Sequence, residues 1–408
     1  MKLKKKKNPI ICGLDVGASK ICMVIVREHA DGVLELVSHG YAESRGLNKG
    51  VVVNLDDAAS AIRKAVVEAE KKVGMSADWV RLGAGGDHFE SFNSRGAVTV
   101  AGDRQEVTAE LASQVITASQ SLVIPADREI VHVLPQEFFL DGQGGIKNPV
   151  GLFGSQLDVN VHIMTCQSAL IQNLINAVNR AEMRVQKVVA QPLAAAEAVL
   201  TKDEKELGAV MIDIGGGSTN IAVFQRNAVR CTAILPIGGY SFTRDLAYGI
   251  QTPIEDAERI KKTSGTVLTE IADAEDHVTV PGIGTRSARP VERKNINDIL
   301  RARAVELLEL VDERLRSATD GSKLVAGIVI TGGGSMLDGM MELAEEYLDM
   351  PARRGLPMGI QGLHDELVRP EYATAVGLTL FGAAGSVPVP SPKGMQWFYG
   401  KVLSLIEK

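Results

Sequence analysis

Twice in this chain an apolar run closes on an aspartate, passes through a short Gly/Ser/Thr turn and resumes as a second apolar run. The first copy spans residues 10–26 and turns at Asp15-Val16-Gly17-Ala18-Ser19; the second spans residues 209–224 and turns at Asp213-Ile214-Gly215-Gly216-Gly217-Ser218-Thr219. Apolar runs this short, bounded by turn residues, read as strand, tight turn, strand. One such unit is an ordinary hairpin. Two of the same design, one in each half of the chain, point to two related lobes, each built on a sheet.

The intervening pattern is α/β. A third strand is expected at 34–38. Asn54 then caps a helix whose apolar positions Leu55, Ala58, Ile62, Val66, Ala69 and Val73 follow three-and-four spacing, and Gly74 ends it. From about residue 82 the texture changes, and Gly85-Gly86, Gly96 and the stretch 132–165 read as a smaller α+β insert. The main pattern resumes with a strand at 159–166, a helix at 168–181, a strand at 185–189 and a helix at 192–200. The run Lys202-Asp203-Glu204-Lys205-Glu206 reads as a charged break, and 241–320 as a charged helical stretch. A strand at 325–330 enters a third glycine-rich segment, Thr331-Gly332-Gly333-Gly334-Ser335, before a helix at 337–348. A small-residue helix follows at 373–381.

The expected organisation is a lobe-one core of residues 1–84 and 164–203 with an insert at 85–163. The lobe-two core takes 204–240 and 325–386, with a second subdomain at 241–324. Pro388, Pro390 and Pro392 mark an extended linker at 387–393. Behind it, 394–408 reads as an amphipathic helix, with Trp397, Phe398, Val402, Leu403, Leu405 and Ile406 on one side and Lys401, Ser404, Glu407 and Lys408 on the other. Such a helix suits a membrane interface; docking on the protein's own body or on a partner is the other reading. Lys2 and Lys4 to Lys7 add attraction to anionic lipid or form a solvated end.

The net charge of −6 speaks against nucleic acid as the main partner. Cys12, Cys22, Cys166 and Cys231 lack CxxC spacing and read as core thiols in a reducing compartment. The seven histidines show no metal-ligand spacing. No run reaches the about 18 apolar residues of a spanning helix, and the start does not read as a cleavable signal.

Backbone N–H groups at a glycine-rich turn can face phosphate oxygens, and an aspartate at the strand end places a carboxylate beside them, where it can hold Mg2+ through water. Two such turns would grip a polyphosphate from both sides. The three segments resemble the two phosphate motifs and the adenosine motif of the actin, Hsp70 and sugar-kinase superfamily, and Gln191-Pro192-Leu193-Ala194-Ala195-Ala196 and Ala373-Thr374-Ala375-Val376-Gly377 resemble its two connecting helices. The resemblance implies an actin-like (ribonuclease H-like) two-lobed fold that binds ATP and Mg2+. Asp15 and Asp213 would hold the metal through water. Gly17, Ala18, Ser19, Lys20, Gly215, Gly216, Gly217, Ser218 and Thr219 would lie on the phosphates, and Gly332, Gly333, Gly334 and Ser335 along the nucleoside. Gln191 would orient the attacking water; an amide takes that water's proton poorly, so hydrolysis is expected to be slow.

Two further stretches, 132–138 and Asp141 to Gly151, resemble the inserted subdomain of the bacterial cell-division FtsA family, and the segment near Val280-Pro281-Gly282 is similar too. Membership implies a protein that polymerises, works with other division proteins, and tethers the tubulin-like GTPase FtsZ to the cytoplasmic face of the inner membrane at the septum. The resemblance also implies that FtsZ's acidic C-terminal tail binds in the subdomain at 241–324, where Arg286, Arg289, Arg293, Lys294, Arg301 and Arg303 are its candidate contacts; a solvated charged face is the other reading. The alternatives are a pilus-assembly relative sharing the insert and a small-molecule phosphotransferase.

Overall fold

The computed structural model describes residues 9–74, 76–100, 105–121, 124–268, 276–319 and 323–382. Lobe one opens with β1 (Ile10–Val16), which turns back as β2 (Lys20–Glu28) and is followed by β3 (Leu34–Glu43). Leu14, Val16, Cys22, Val24 and Val26 are buried. Both faces of these strands are covered, which is why the sequence runs apolar without alternation. A short hairpin, β4 (Leu47–Asn48) and β5 (Val51–Val52), leads to α1 (Leu55–Val73). Asn54 Oδ1 accepts the N–H groups of Asp56 and Asp57, and Gly74 ends the helix at φ 66°, as the sequence predicts. β6 (Trp79–Ala84) then joins β1 in parallel.

The insert comprises β7 (Phe89–Thr99), α2 (Ala109–Ala118), β8 (Arg128–Leu140), β9 (Gln143–Ile146) and β10 (Gln156–Gln167). Its sheet runs β7-β10-β8-β9 and has its own core, in which Val115 and Ile116 of α2 meet Val133, Phe138, Val159 and Val161. The strand expected at 159–166 is longer and pairs along its length with β7 and β8, inside the insert's sheet. The chain returns to lobe one through α3 (Ser168–Arg180) and β11 (Arg184–Ala190), completing a sheet of order β11-β6-β1-β2-β3.

Next come α4 (Gln191–Val199) and α5 (Lys202–Leu207). The charged run at 202–206 is therefore a helix, not a break. Thr201 and Glu204 form a capping box at its start, a T-x-x-E signal present in the sequence.

Lobe two repeats lobe one. β12 (Ala209–Ile214), β13 (Thr219–Gln225) and β14 (Ala228–Leu235) form the antiparallel unit. A helical layer follows: α6 (Gly239–Gly249), α7 (Ile254–Ser264), the ribbon of β15 (His277–Val280) and β16 (Arg289–Glu292), and α8 (Arg293–Thr319). β17 (Gly327–Thr331), α9 (Met340–Leu348), β18 (Ala352–Arg354) and α10 (Ala373–Leu380) complete it. The sheet order β14-β13-β12-β17-β18 has the same connectivity as lobe one, three antiparallel strands extended by two parallel ones. Between the sheets, α4 and α10 share one core with both lobes, including Val24, Val26, Ala195, Val199, Met211, Ala222 and Val376.

No helix among the described residues is long and apolar enough to cross a membrane. The lysine-rich start, the whole linker at 387–393 and the segment bearing Trp397, Phe398, Val402, Leu403, Leu405 and Ile406 lie outside the described residues.

Candidate nucleotide-binding site

The two Asp–Gly turns face each other across a cleft of about 600 Å³, within the size range of small-molecule sites. A Cβ built on Gly216 would stand 3.1 Å from the Cβ of Ser19, and one on Gly217 would stand 3.0 Å from that of Ala18. Each turn is closed by its own backbone bond, Gly17 N–H to Lys20 O at 3.1 Å and Gly215 N–H to Ser218 O at 2.9 Å. The N–H groups of Gly239 and Tyr240 donate to the carbonyls of Gly215 and Gly216, fixing the start of α6 on the second turn.

At the floor lie the two aspartates. Gln191, the first residue of α4, donates from Nε2 to Asp15 Oδ1 at 2.9 Å. Burial pushes the Asp15 carboxyl up to about 7; the Gln191 bond draws it down and Asp213 raises it further. Asp213 Oδ2 accepts from Asn220 Nδ2 at 3.0 Å and from Thr374 Oγ1 at 3.3 Å, and burial raises its pKa as well, against those two bonds. Asn220 lines the cleft, and its Oδ1 is buried without a partner among the described residues.

The donor set is oxygen-only and acidic, and includes the buried, unpartnered Asn220 Oδ1, which fits a hard divalent cation such as Mg2+. No group of three or more His, Cys, Asp and Glu side chains among the described residues could form a complete protein cage. A cation here would take its remaining ligands from water and phosphate, the usual arrangement for Mg2+. Bound there, it would neutralise phosphate charge; Asp15, Asp213 and Asn220 are the residues placed to hold it.

Lys20 lines the cleft beside Glu371 (3.9 Å) and over the Tyr372 ring, and burial lowers its pKa. Gly332, at φ 78°, lets the third glycine segment press on the second turn: a Cβ there would lie 2.3 Å from Asp213 Oδ1. Gly333 and Gly334 also line the cleft.

Two residues expected on the nucleotide point elsewhere. Thr219 is fully buried and its hydroxyl donates to Ile237 O at 2.7 Å; Ser335 is likewise buried and donates to Gly332 O at 2.7 Å. Side chains alternate along a strand, so turning Thr219 inward aims the next residue, Asn220, at Asp213. Sequence reasoning also missed Glu258, Lys261 and Lys262 of α7, and Gly50 at the tip of the β4–β5 hairpin, all of which line the cleft. Lys261 Nζ is held by Gly239 O (3.0 Å), Thr243 Oγ1 (2.8 Å) and Glu258 Oε2 (2.6 Å). The only signal for the α7 residues is the i,i+3 and i,i+4 spacing of Glu258 from Lys261 and Lys262, which a solvated helix face also shows.

The basic residues of 286–303 divide into two groups. Arg293 pairs with Asp276, Arg301 with Glu346, and Arg303 with Asp245 and Glu306. Arg286 and Arg289 are exposed and bond to neutral oxygens, Gln251 Oε1 and Ile250 O, while Lys294 is exposed at the start of α8.

A duplicated five-stranded sheet, closed on a nucleotide-sized cleft between acidic glycine turns, defines a protein of the actin-like ATPase fold. Solved structures bear this out. The PilM-PilN type IV pilus biogenesis complex superposes with a TM-score of 0.66 at 18% identity, covering 91% of this chain and 98% of that one. MreB5 of Spiroplasma citri bound to ADP gives 0.56 at 13% identity, covering 92% and 97%. The family model for Cell division protein FtsA matches residues 210–377, and that for the SHS2 domain inserted in FTSA matches residues 86–165. Cell division protein FtsA of Pseudomonas aeruginosa is 40% identical over 92% of this chain and 90% of the relative. That of Escherichia coli K12 is 35% identical over 93% and 92%. The chain belongs to the cell division protein FtsA family.

Proposed function

We propose that this chain is a nucleotide-loaded scaffold of the division machinery. It binds ATP with Mg2+ in the interlobe cleft, polymerises, and tethers FtsZ to the cytoplasmic face of the inner membrane at the division septum. The observation that carries the reading is the pair of facing acidic turns, Asp15–Ser19 and Asp213–Ser218, in a member of the FtsA family. Asp15, Asp213 and Asn220 hold the metal; Gly17, Ala18, Ser19, Lys20, Gly215, Gly216, Gly217 and Ser218 surround the phosphates. Gln191 orients water from its place on Asp15, and turnover is slow because its amide is a poor base.

The segment at 394–408 attaches to anionic lipid through Trp397, Phe398, Val402, Leu403, Leu405 and Ile406, which its amphipathic pattern supports. A helix so short binds weakly, and arrays of protomers supply the avidity. The acidic FtsZ tail docks on the second subdomain of lobe two, where Arg286, Arg289 and Lys294 are exposed. ATP-dependent co-sedimentation with anionic vesicles tests the scheme, comparing the full chain with one ending at Ser391. Loss of sedimentation with nucleotide binding intact supports it; equal behaviour of both forms removes the anchor. The structural likeness to PilM, in a pilus complex with PilN, makes docking through a membrane protein the reading to take up in that case.

A further inference from the structure

One face of the insert's sheet touches both lobes. In the β8–β10 pairing Met164 stands opposite His132, and His162 opposite Leu134. The two histidines are therefore diagonal neighbours on the same face. Both are buried, His132 at 0% and His162 at 1% exposure.

His162 reaches lobe two. Its Nδ1 lies 2.7 Å from Asn93 Oδ1, and its Nε2 lies 2.8 Å from Thr232 Oγ1 on β14. Asn93 Nδ2 donates to Arg230 O, and Asn93 Oδ1 also accepts from Gln136 Nε2. That network assigns Asn93 Oδ1 as the acceptor, so His162 carries its proton on Nδ1 and the Thr232 hydroxyl donates to Nε2. Ser91 Oγ donates to Thr232 O at 2.6 Å and Gln136 Nε2 to Val229 O at 2.8 Å, so β14 is held at several points.

His132 reaches lobe one. Its Nε2 accepts the N–H of Ala190 at 3.0 Å. Ala190 is the N-cap of α4 and has no side-chain cap of its own. In a capping box the N-cap amide is taken by a Glu or Gln three residues on; here that residue is Leu193, and a histidine from the insert does the work instead. The arrangement leaves His132 Nδ1 buried without a partner among the described residues. Such a group is unfavourable, yet an apolar residue here would orphan the Ala190 amide. The residue after Ala190 is Gln191, bonded to Asp15.

We propose that the insert is a clasp between the lobes: His162 fastens its sheet to lobe two at Thr232, His132 caps the helix that presents Gln191, and lobe movement is passed through that sheet to the Gln191–Asp15 contact. This rests on the cleft role given to Gln191 under the function proposed above. His132 is a positioning residue. Burial pushes both imidazoles down, to about 3 for His132 and about 4 for His162, so the rings stay neutral and the two acceptor bonds persist across neutral pH.

Hydrogen exchange at residues 188–193 of the full-length protein, with and without Mg2+ and ATP, reads the coupling. Thr232→Val removes a hydroxyl from lobe two. In the nucleotide-free protein it is expected to speed exchange at Ala190 and Gln191 by about fivefold, the effect of losing one net hydrogen bond. His132→Leu should speed it at least as much, and His132→Gln, which restores an acceptor, should slow it again. Turnover should fall in Thr232→Val while ATP affinity holds. Unchanged exchange in Thr232→Val, with His132→Leu alone raising it, would reduce His132 to a local cap and overturn the clasp. If His132→Leu does not fold, Thr232→Val and His132→Gln still decide. A chain that binds no ATP would sink the functional reading, while the nucleotide-free exchange would still judge the clasp.

Discussion

Gly377 lies so close to Ala194 that a Cβ built on it would stand 1.7 Å from the alanine's carbonyl oxygen. This is where α10 crosses α4 between the two sheets. Both helices are rich in small residues, and their backbones meet without side chains between them. Gly13 of β1 supports the same crossing, since its Cβ would fall 2.9 Å from Ala375 O. Gly377→Ala should therefore cost about 1–3 kcal/mol, the usual penalty of overpacking, or more because the obstacle is backbone. A lowered melting temperature, with the secondary structure unchanged by circular dichroism, checks it.

Asp15 makes stability depend on pH in an unusual direction. Its folded pKa is about 7, against 3.8 for a free aspartate carboxyl. Between those values the folded state binds more protons than the unfolded one, so stability of the nucleotide-free protein falls as pH rises through the window. Asp213 is raised by the same burial and adds the same sign. Asp15→Asn should flatten part of this slope and melt higher than the parent at about pH 8. It should also lose affinity for the Mg2+–ATP complex, because the amide carries no charge. Melts at two pH values and a nucleotide titration check both halves.

Gln191 is held in place by what Gly85 lacks. A Cβ on Gly85 would lie 2.0 Å from Gln191 Oε1, so Gly85→Ala must push the amide off Asp15. Gln191→Ala removes it outright. Each variant should lower ATP turnover by about 10- to 100-fold, toward the low end of proton-transfer and water-positioning effects, and leave ATP affinity within a factor of about three. Single-turnover rates beside equilibrium titration separate the two; lost affinity would show Gln191 to be a structural bond.

The parts of this site legible in the sequence are those in which local chemistry and function coincide. Glycine, aspartate and hydroxyl residues between two apolar runs announce a turn and a phosphate cradle with the same letters, and Asn54 and Gly74 announce both ends of α1. What was hidden is set by strand phase and long-range packing. Thr219 reads as a phosphate donor until the pleat turns it onto Ile237 O and brings Asn220 to Asp213. Glu258 and Lys261 enter the cleft only because the helical layer of lobe two folds back over the second turn. His132 could not be recognised as a helix cap, since the amide it serves lies 58 residues away. The capping box at Thr201 is present in the sequence as T-x-x-E, but the five charged residues behind it read as a break.

The basic stretch of lobe two yields the last prediction. Arg293, Arg301 and Arg303 face carboxylates of their own chain, and a guanidinium already paired offers little to an acidic peptide. Arg286 and Arg289 bond only to neutral oxygens in the contacts described, at 3.4 and 3.0 Å, and both are exposed. Together with Lys294 they form the accessible cationic end of the subdomain. Arg286→Glu with Arg289→Glu should weaken binding of an acidic FtsZ-tail peptide by about tenfold or more, with the loss shrinking as salt screens both forms. Arg303→Glu should act differently, costing about 2 kcal/mol of stability through its charged hydrogen bonds and leaving peptide affinity nearly unchanged. Fluorescence anisotropy of the labelled peptide at two ionic strengths, beside thermal melts of each variant, distinguishes the two groups. Equal affinity in the double reversal would move the docking surface away from this end of the subdomain.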